Sequence, residues 1–155
     1  GQFKLLQPGM EGNNERSPWN IERAFGLTGY TEQVRRWHLL RMKLLPYIRA
    51  EAAKCEENCR PLMRPMAYAF PEDPLCTNID DEYMFGDALL VAPVLREGVS
   101  EREVYLPEGE WRDFCTGERL HGGRVCTRGC TETVPVFVRE GADGSHLLPE
   151  LYHEI

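Results

Sequence analysis

The sequence predicts an α/β segment followed by an all-β segment. Three observations carry this. Residues 31 to 58 repeat apolar side chains at helical spacing, between two short apolar runs of strand type. Beyond residue 80 the apolar runs are short and are separated by turn residues at even intervals, as in a β-sandwich. Between them, near residues 71 to 79, composition shifts across a proline-bounded stretch, the candidate domain boundary.

The elements follow in order. Phe3 to Leu6 is a short apolar strand pattern ended by Pro8 and Gly9, and a polar loop rich in Gly and Asn runs on to Pro18-Trp19. A long helix comes next, with Thr31 as N-cap and Glu32 in its first turn, where the helix dipole favours an anion. Val34, Trp37, Leu40, Leu44, Tyr47 and Ile48 form its apolar stripe, with Arg35, Arg36, Lys43 and Arg49 off it. Pro46 removes one amide donor and predicts a kink, and Asn58 is the expected stop. "RPLMRPMAYAF", residues 60 to 70, reads as a strand in which Pro65 points to an edge or a bulge. Strand, loop, helix, strand is one unit of a parallel α/β sheet.

In the second half, "ALLVAPV" is a buried strand. "REVYLP" and "EWRDFCTG" read as two strands joined by the turn Pro107 to Glu110, "TGERLHGG" as a turn-rich excursion, and "ETVPVFVREGA" as a further strand. The run "DEYMFGDALLVAPV" poses a specific question: why an acidic, glycine-broken lead-in should precede so apolar a strand.

Composition narrows the function classes. The chain is 42% hydrophobic and 28% charged, which suffices for a buried core. Its formal net charge is -7 with no Lys/Arg cluster, so nucleic acid is not an expected partner. No apolar run approaches the ~20 residues of a membrane helix, so no membrane association is expected. Cys55 and Cys59, and Cys126 and Cys130, are each four apart. A four-thiolate metal site competes there with reduced, partly buried thiols, and the latter is the expectation, because structural zinc favours closer pairs. Reduced thiols imply a cytoplasmic location. His38, His121, His146 and His153 show no ligand spacing.

Five stretches, "LRMKLLPYIRAEA", "RPLMRPMAYAFPEDP", "DDEYMFGDALLVAPVLREG", "REVYLPEGEWRDFCTGERLHGG" and "VPVFVREGA", occur in collinear order. In that order and spacing the chain resembles glycoside hydrolase family 31, the α-glucosidase and α-xylosidase family, from Phe3 to Ala142. The resemblance implies the last strand-helix-strand unit of a (β/α)8 barrel over residues 1–76, joined to part of an antiparallel β-sandwich over 77–142. Residues 143–155 depart from the family pattern as a polar turn and a short amphipathic end. Gly86 then permits the turn from the last barrel strand into the sandwich. Tyr83, Met84 and Phe85 pack at the seam, or one of them reaches a sugar. Asp80, Asp81 and Glu82 serve capping and turns.

The chemistry implied is retaining hydrolysis of α-glycosidic bonds in oligosaccharides, by two carboxylates roughly 5 Å apart. In the family both lie earlier in sequence, and none matches a residue here, so the chain reads as a fragment without its own catalytic pair. No cofactor is implied. The family's Arg-x-His sugar contact corresponds to "PGMEGNNERSPW", where Glu11 falls near the Arg position and Asn13 or Asn14 near the His. Glu11, Asn13, Asn14 and Arg16 are the candidate substrate-binding set, able to bond vicinal hydroxyls; the same side chains can instead brace their own turns. Arg64 faces the barrel mouth or forms a structural ion pair. The competing function is a non-catalytic carbohydrate-binding or interaction module, with Tyr105, Trp111 and Phe114 as a stacking platform. Unpaired strand edges would favour self-association.

Overall fold

The computed structural model describes residues 17–130 and 134–149. The chain divides into two compact units, residues 1–43 and 44–155.

In the first unit, helix α1 spans Pro18–Phe25. Ser17 precedes it in extended conformation, Pro18 opens it with its φ already helical, and Gly26 closes it at φ +63°. The amides of Gly26 and Leu27 both return to the Glu22 carbonyl, which ends the helix. The Glu22 carboxylate then accepts the amides of Gly29 and Thr31, each at 2.9 Å. This clasp turns the chain into helix α2, Tyr30–Asn58. A separate helix, α1, thus starts at Pro18, where the expected polar loop ends, and Thr31 lies inside α2's first turn rather than at its cap. Helix α2 runs through Pro46 and stops at Asn58. Cys59 follows at φ +51°. The expected stripe is its least exposed face, with Val34 and Tyr47 buried.

The second unit holds the remainder of α2 and the sheets. Strands β1 (Met63–Pro65), β2 (Tyr83–Phe85), β3 (Leu89–Val91), β8 (Val136–Arg139), β5 (Glu110–Asp113) and β6 (Arg119–His121) lie side by side in that order. Every neighbouring pair is antiparallel. Strands β4 (Glu101–Leu106) and β7 (Arg124–Gly129) form a separate antiparallel ribbon. β1 is an edge strand, as Pro65 suggests. It is only three residues long, and Met66–Ala69 forms the short helix α3. The strand expected over residues 60 to 70 is shorter because Pro65 offers no donor to extend the ladder. Its one observed partner, β2, is antiparallel, while the Phe3 to Leu6 strand lies outside the described residues.

The core sits between the sheet and the ribbon. Met66, Cys76, Met84, Leu90, Ala92, Trp111, Leu120 and Phe137 meet Val104 and Leu106 of β4 there. Alternation on β4 places these two inward and Glu101 and Glu103 outward. β4 and β5 are the two strands expected on either side of the turn at Pro107, but they pair with other strands and not with each other. After Leu106 the chain leaves the ribbon and enters the six-stranded sheet. The Trp111 indole donates to the Pro107 carbonyl at 2.7 Å and pins this crossover from inside. Gly122 lies so close that a Cβ there would meet the same carbonyl oxygen at 1.9 Å. The "TGERLHGG" excursion contains β6.

Trp111 and Phe114 are buried, so the proposed stacking platform does not exist. Tyr105 is half-buried and donates its hydroxyl to Asp73 at 2.8 Å, tying β4 to the start of the 3-10 turn Pro74–Asn78. Tyr105→Phe is expected to cost about 1 kcal/mol, the ordinary worth of one such bond. The check is the urea midpoint at unchanged m-value.

Candidate functional site

The densest polar constellation is built where the second half of α2 meets the turn between β2 and β3. Tyr47 and Glu51 stand one helical turn apart on the same face of α2, and both are fully buried. The Tyr47 hydroxyl donates to the Phe85 carbonyl at 2.7 Å and accepts the Ala88 amide at 3.0 Å. Glu51 Oε2 accepts the Asp87 amide at 2.9 Å. Three consecutive peptide units around Gly86 are therefore held by two side chains of one helix. Gly86 is at φ +68°, as the sequence expectation of a turn required.

Charges close the site. Lys54 donates to Glu51 at 2.6 Å and Asp87 at 3.2 Å, and lies 2.7 Å from Asp143. Arg64 pairs with Asp87, donates to the Pro61 carbonyl at 2.8 Å, and lies 3.8 Å from Glu51. Burial works against the charge of Asp87, but the bonds from Arg64 and Lys54 outweigh it and hold its carboxyl below the usual range. Lys54 is likewise disfavoured by burial, yet Asp143, Glu51 and Asp87 hold its pKa above normal. Asp143 is lowered by its bond to Lys54. Burial pushes the Tyr47 hydroxyl up, so it stays protonated.

This geometry defines what the cluster can do. Both oxygens of Asp87 and of Glu51 are engaged, and Asp87 is shifted away from proton donation. None of these carboxylates is poised to attack a sugar or protonate a leaving group. The cluster is a brace that fixes the Gly86 turn, with Arg64 as the structural ion pair. Beside it opens a cleft of about 260 Å³, lined among others by Arg60, Phe70, Asp87, Arg139 and Asp143. The Arg139 guanidinium lies 5.1 Å from the Phe70 ring centroid.

Glu82 stands apart. It is buried beside β4, accepts the Tyr105 amide at 2.9 Å, and burial pushes its carboxyl up to about 7. The acidic lead-in thus places Glu82 inside the protein, whereas capping was expected of it. Of the neighbouring trio Tyr83, Met84 and Phe85, Met84 is in the core and the other two are half-buried on β2.

Glu11, Asn13, Asn14 and Arg16, the sequence's substrate-binding candidates, lie outside the described residues. Among the described residues no group of three or more His, Cys, Asp or Glu is gathered as for a metal ion. Cys55, Cys59, Cys76, Cys126 and Cys130 are free thiols, and no helix there is long and apolar enough to cross a membrane. Sequence reasoning passed over Glu51, Lys54, Asp87 and Asp143. The i, i+3 spacing of Glu51 and Lys54 looks like an ordinary surface pair, and the only usable signal was Tyr47 sharing the face of Glu51.

Comparison with known proteins settles the family. The model for the glycosyl hydrolase family 31 C-terminal domain matches residues 59–142, more than half of the chain. The chain belongs to glycoside hydrolase family 31. It is 39% identical to an isomaltosyltransferase of Sporosarcina globispora, over 91% of this chain and 13% of that protein. It is 40% identical to an alpha-xylosidase of Saccharolobus solfataricus, over 82% of this chain and 17% of that protein. Among solved structures, a cycloalternan-degrading enzyme from Trueperella pyogenes in complex with a covalent intermediate superposes with a TM-score of 0.78 at 34% identity. That match covers 88% of this chain and 19% of the enzyme. The chain spans between 11 and 22% of the length of eight curated relatives that it matches. Its antiparallel sheets agree with a family 31 C-terminal β-sandwich.

Proposed function

We propose that this chain serves a retaining α-glycosidase, of α-glucosidase or α-xylosidase type, hydrolysing α-glycosidic bonds in oligosaccharides. In this reading it is the junction at which a (β/α)8 barrel, ending near residue 76, passes into the proximal β-sandwich. The observation that carries the reading is the family match over residues 59–142. The covalent intermediate held by the Trueperella pyogenes enzyme supports retention, which proceeds through a glycosyl-enzyme. The brace supports the junction role, because it ties α2, β1 and the β2–β3 turn into one polar knot. Met63 on β1 and Tyr68 on α3 are exposed apolar side chains in the segment assigned to the barrel, as expected of surfaces that a longer protein covers.

The reactive carboxylates are then supplied by residues outside this chain, and the loop with Glu11, Asn13, Asn14 and Arg16 contributes sugar hydroxyl contacts. Turnover of an aryl α-glycoside, assayed for the complete gene product and for the 155-residue chain, tests this. Activity is expected from the complete product only. Turnover by the chain alone would overturn the placement of the carboxylates.

A further inference from the structure

We propose that Glu82 is a proton-operated latch between the six-stranded sheet and the β4–β7 ribbon, closed when its carboxyl is neutral and loosened when it ionises. Four observations place it there. Glu82 lies at the entrance to β2, in the six-stranded sheet, and reaches across to β4, where its Oε1 accepts the Tyr105 amide at 2.9 Å. It is buried, and its Oε2 has no hydrogen-bond partner. The nearest cation, Arg102 on β4, has its Nη2 3.7 Å from Oε1, beyond hydrogen-bond reach, and 2.9 Å from Asp81 Oδ2; that nitrogen makes no hydrogen bond of good geometry to either. Arg102 also donates to the carbonyls of Asp81 and Pro93, so it ties β4 to the segment entering β2 and the segment leaving β3.

The surroundings decide the direction. Asp81 precedes Glu82 on its own segment. Arg102 and Tyr105 face it from β4, Cys126 from β7, and Cys76 from the 3-10 turn; Asp73 is bonded to Tyr105. Burial pushes the Cys76 thiol and the Tyr105 hydroxyl up to about 12, and raises Cys126. These three stay neutral at ordinary pH; as acids they offer an ionised Glu82 no positive charge in either state, and only Arg102 could. Burial outweighs the two groups that favour the ionised form, the Tyr105 amide and Arg102, and Asp81 adds repulsion. A carboxyl raised by burial stabilises the closed form fully below about 4.5, its value when exposed. That contribution is lost as pH climbs through about 7. Opening of the ribbon readmits water to the charge, against the cost of exposing Val104 and Leu106, β4's anchors in the core.

The test is amide hydrogen exchange on the full chain between pH 5.5 and 8, corrected for intrinsic exchange rates. In the wild type, the opening constant for residues 101–106 and 124–129 is expected to rise at least ~10-fold over this range, while β5 and β8 change little. In Glu82→Gln the rise shrinks below ~2-fold. A flat wild-type profile, or the same slope in the variant, overturns the latch. Should the variant not fold, ¹³C NMR of the Glu82 carboxyl in the wild type decides alone. A midpoint near neutrality supports the proposal, and one at the ordinary glutamate value refutes it.

Discussion

Gly86→Ala is expected to destabilise the chain by about 4 kcal/mol, through overpacking added to backbone strain. Gly86 is at φ +68°, where a Cβ is strained on any background. That Cβ would also lie 2.3 Å from the Tyr47 hydroxyl, 2.6 Å from Glu51 Cγ and 2.7 Å from Glu51 Oε2. Neither neighbour has room to retreat. Tyr47 is bonded to Phe85 and Ala88, and Glu51 to Lys54 and the Asp87 amide. Relief of the clash breaks the brace itself. Gly98 and Gly141 provide the control, with φ at +75° and +74° and nothing within 4 Å of a Cβ. Alanine there carries strain alone and is expected to cost about 1 kcal/mol. Urea unfolding of the three variants separates the two contributions. Equal shifts at all three glycines would mean that α2 does not clasp this turn.

The contrast between these glycines shows what the sequence could express. Gly86 between an acidic lead-in and an apolar run announced a turn, because few residues other than glycine adopt positive φ cheaply. What the turn rests on was silent: Tyr47 and Glu51 precede it by more than thirty residues, and a helix with glutamate and lysine one turn apart looks solvated. Strands β3, β4 and β8 were legible because Leu89-Leu90, Val104 with Leu106, and Phe137-Val138 carry their burial locally. The pairing of β4 was not. Pro107, Glu108 and Gly109 suit a tight hairpin and a crossover equally, and the choice is made by Trp111 reaching Pro107 from within the core and by the absence of a side chain at Gly122. Helix α1 was within reach, since Ser17, Pro18 and Gly26 are ordinary start and stop residues. Its apolar positions Pro18, Ile21, Ala24 and Phe25 do share one helical face, but eight residues are too short a window for that period to be read. For the brace, charge type was readable and charge burial was not: Arg64 sat in a short apolar stretch, whereas nothing distinguished Asp87 and Asp143 from turn residues.

Arg64→Met is expected to cost 3–5 kcal/mol at pH 7, because a buried ion pair loses one partner and leaves the other desolvated. The Arg64 side chain is 3% exposed and its partner Glu51 is 0% exposed. Lys54 then remains as the one close cation for Glu51, Asp87 and Asp143, with Arg60 3.9 Å from Asp87. Adding Asp87→Asn is expected to restore part of the loss by removing the stranded charge. A purely steric role for Arg64 predicts no such rescue. Acid sharpens the distinction. The depressed Asp87 carboxyl contributes stability above about 3.8, its ordinary value, and that contribution disappears as pH falls through the lower folded value. Arg64 is one of the two groups that depress it, so the variant has less of this contribution to lose. The gap between wild type and Arg64→Met therefore narrows from pH 7 to pH 2.5, leaving the bonds from Arg64 to the Pro61 and Gly86 carbonyls. Urea midpoints at the two pH values measure the gap. An unchanged gap would assign Arg64 to packing and those carbonyl bonds, and would leave Asp87 to be held by Lys54 and Arg60.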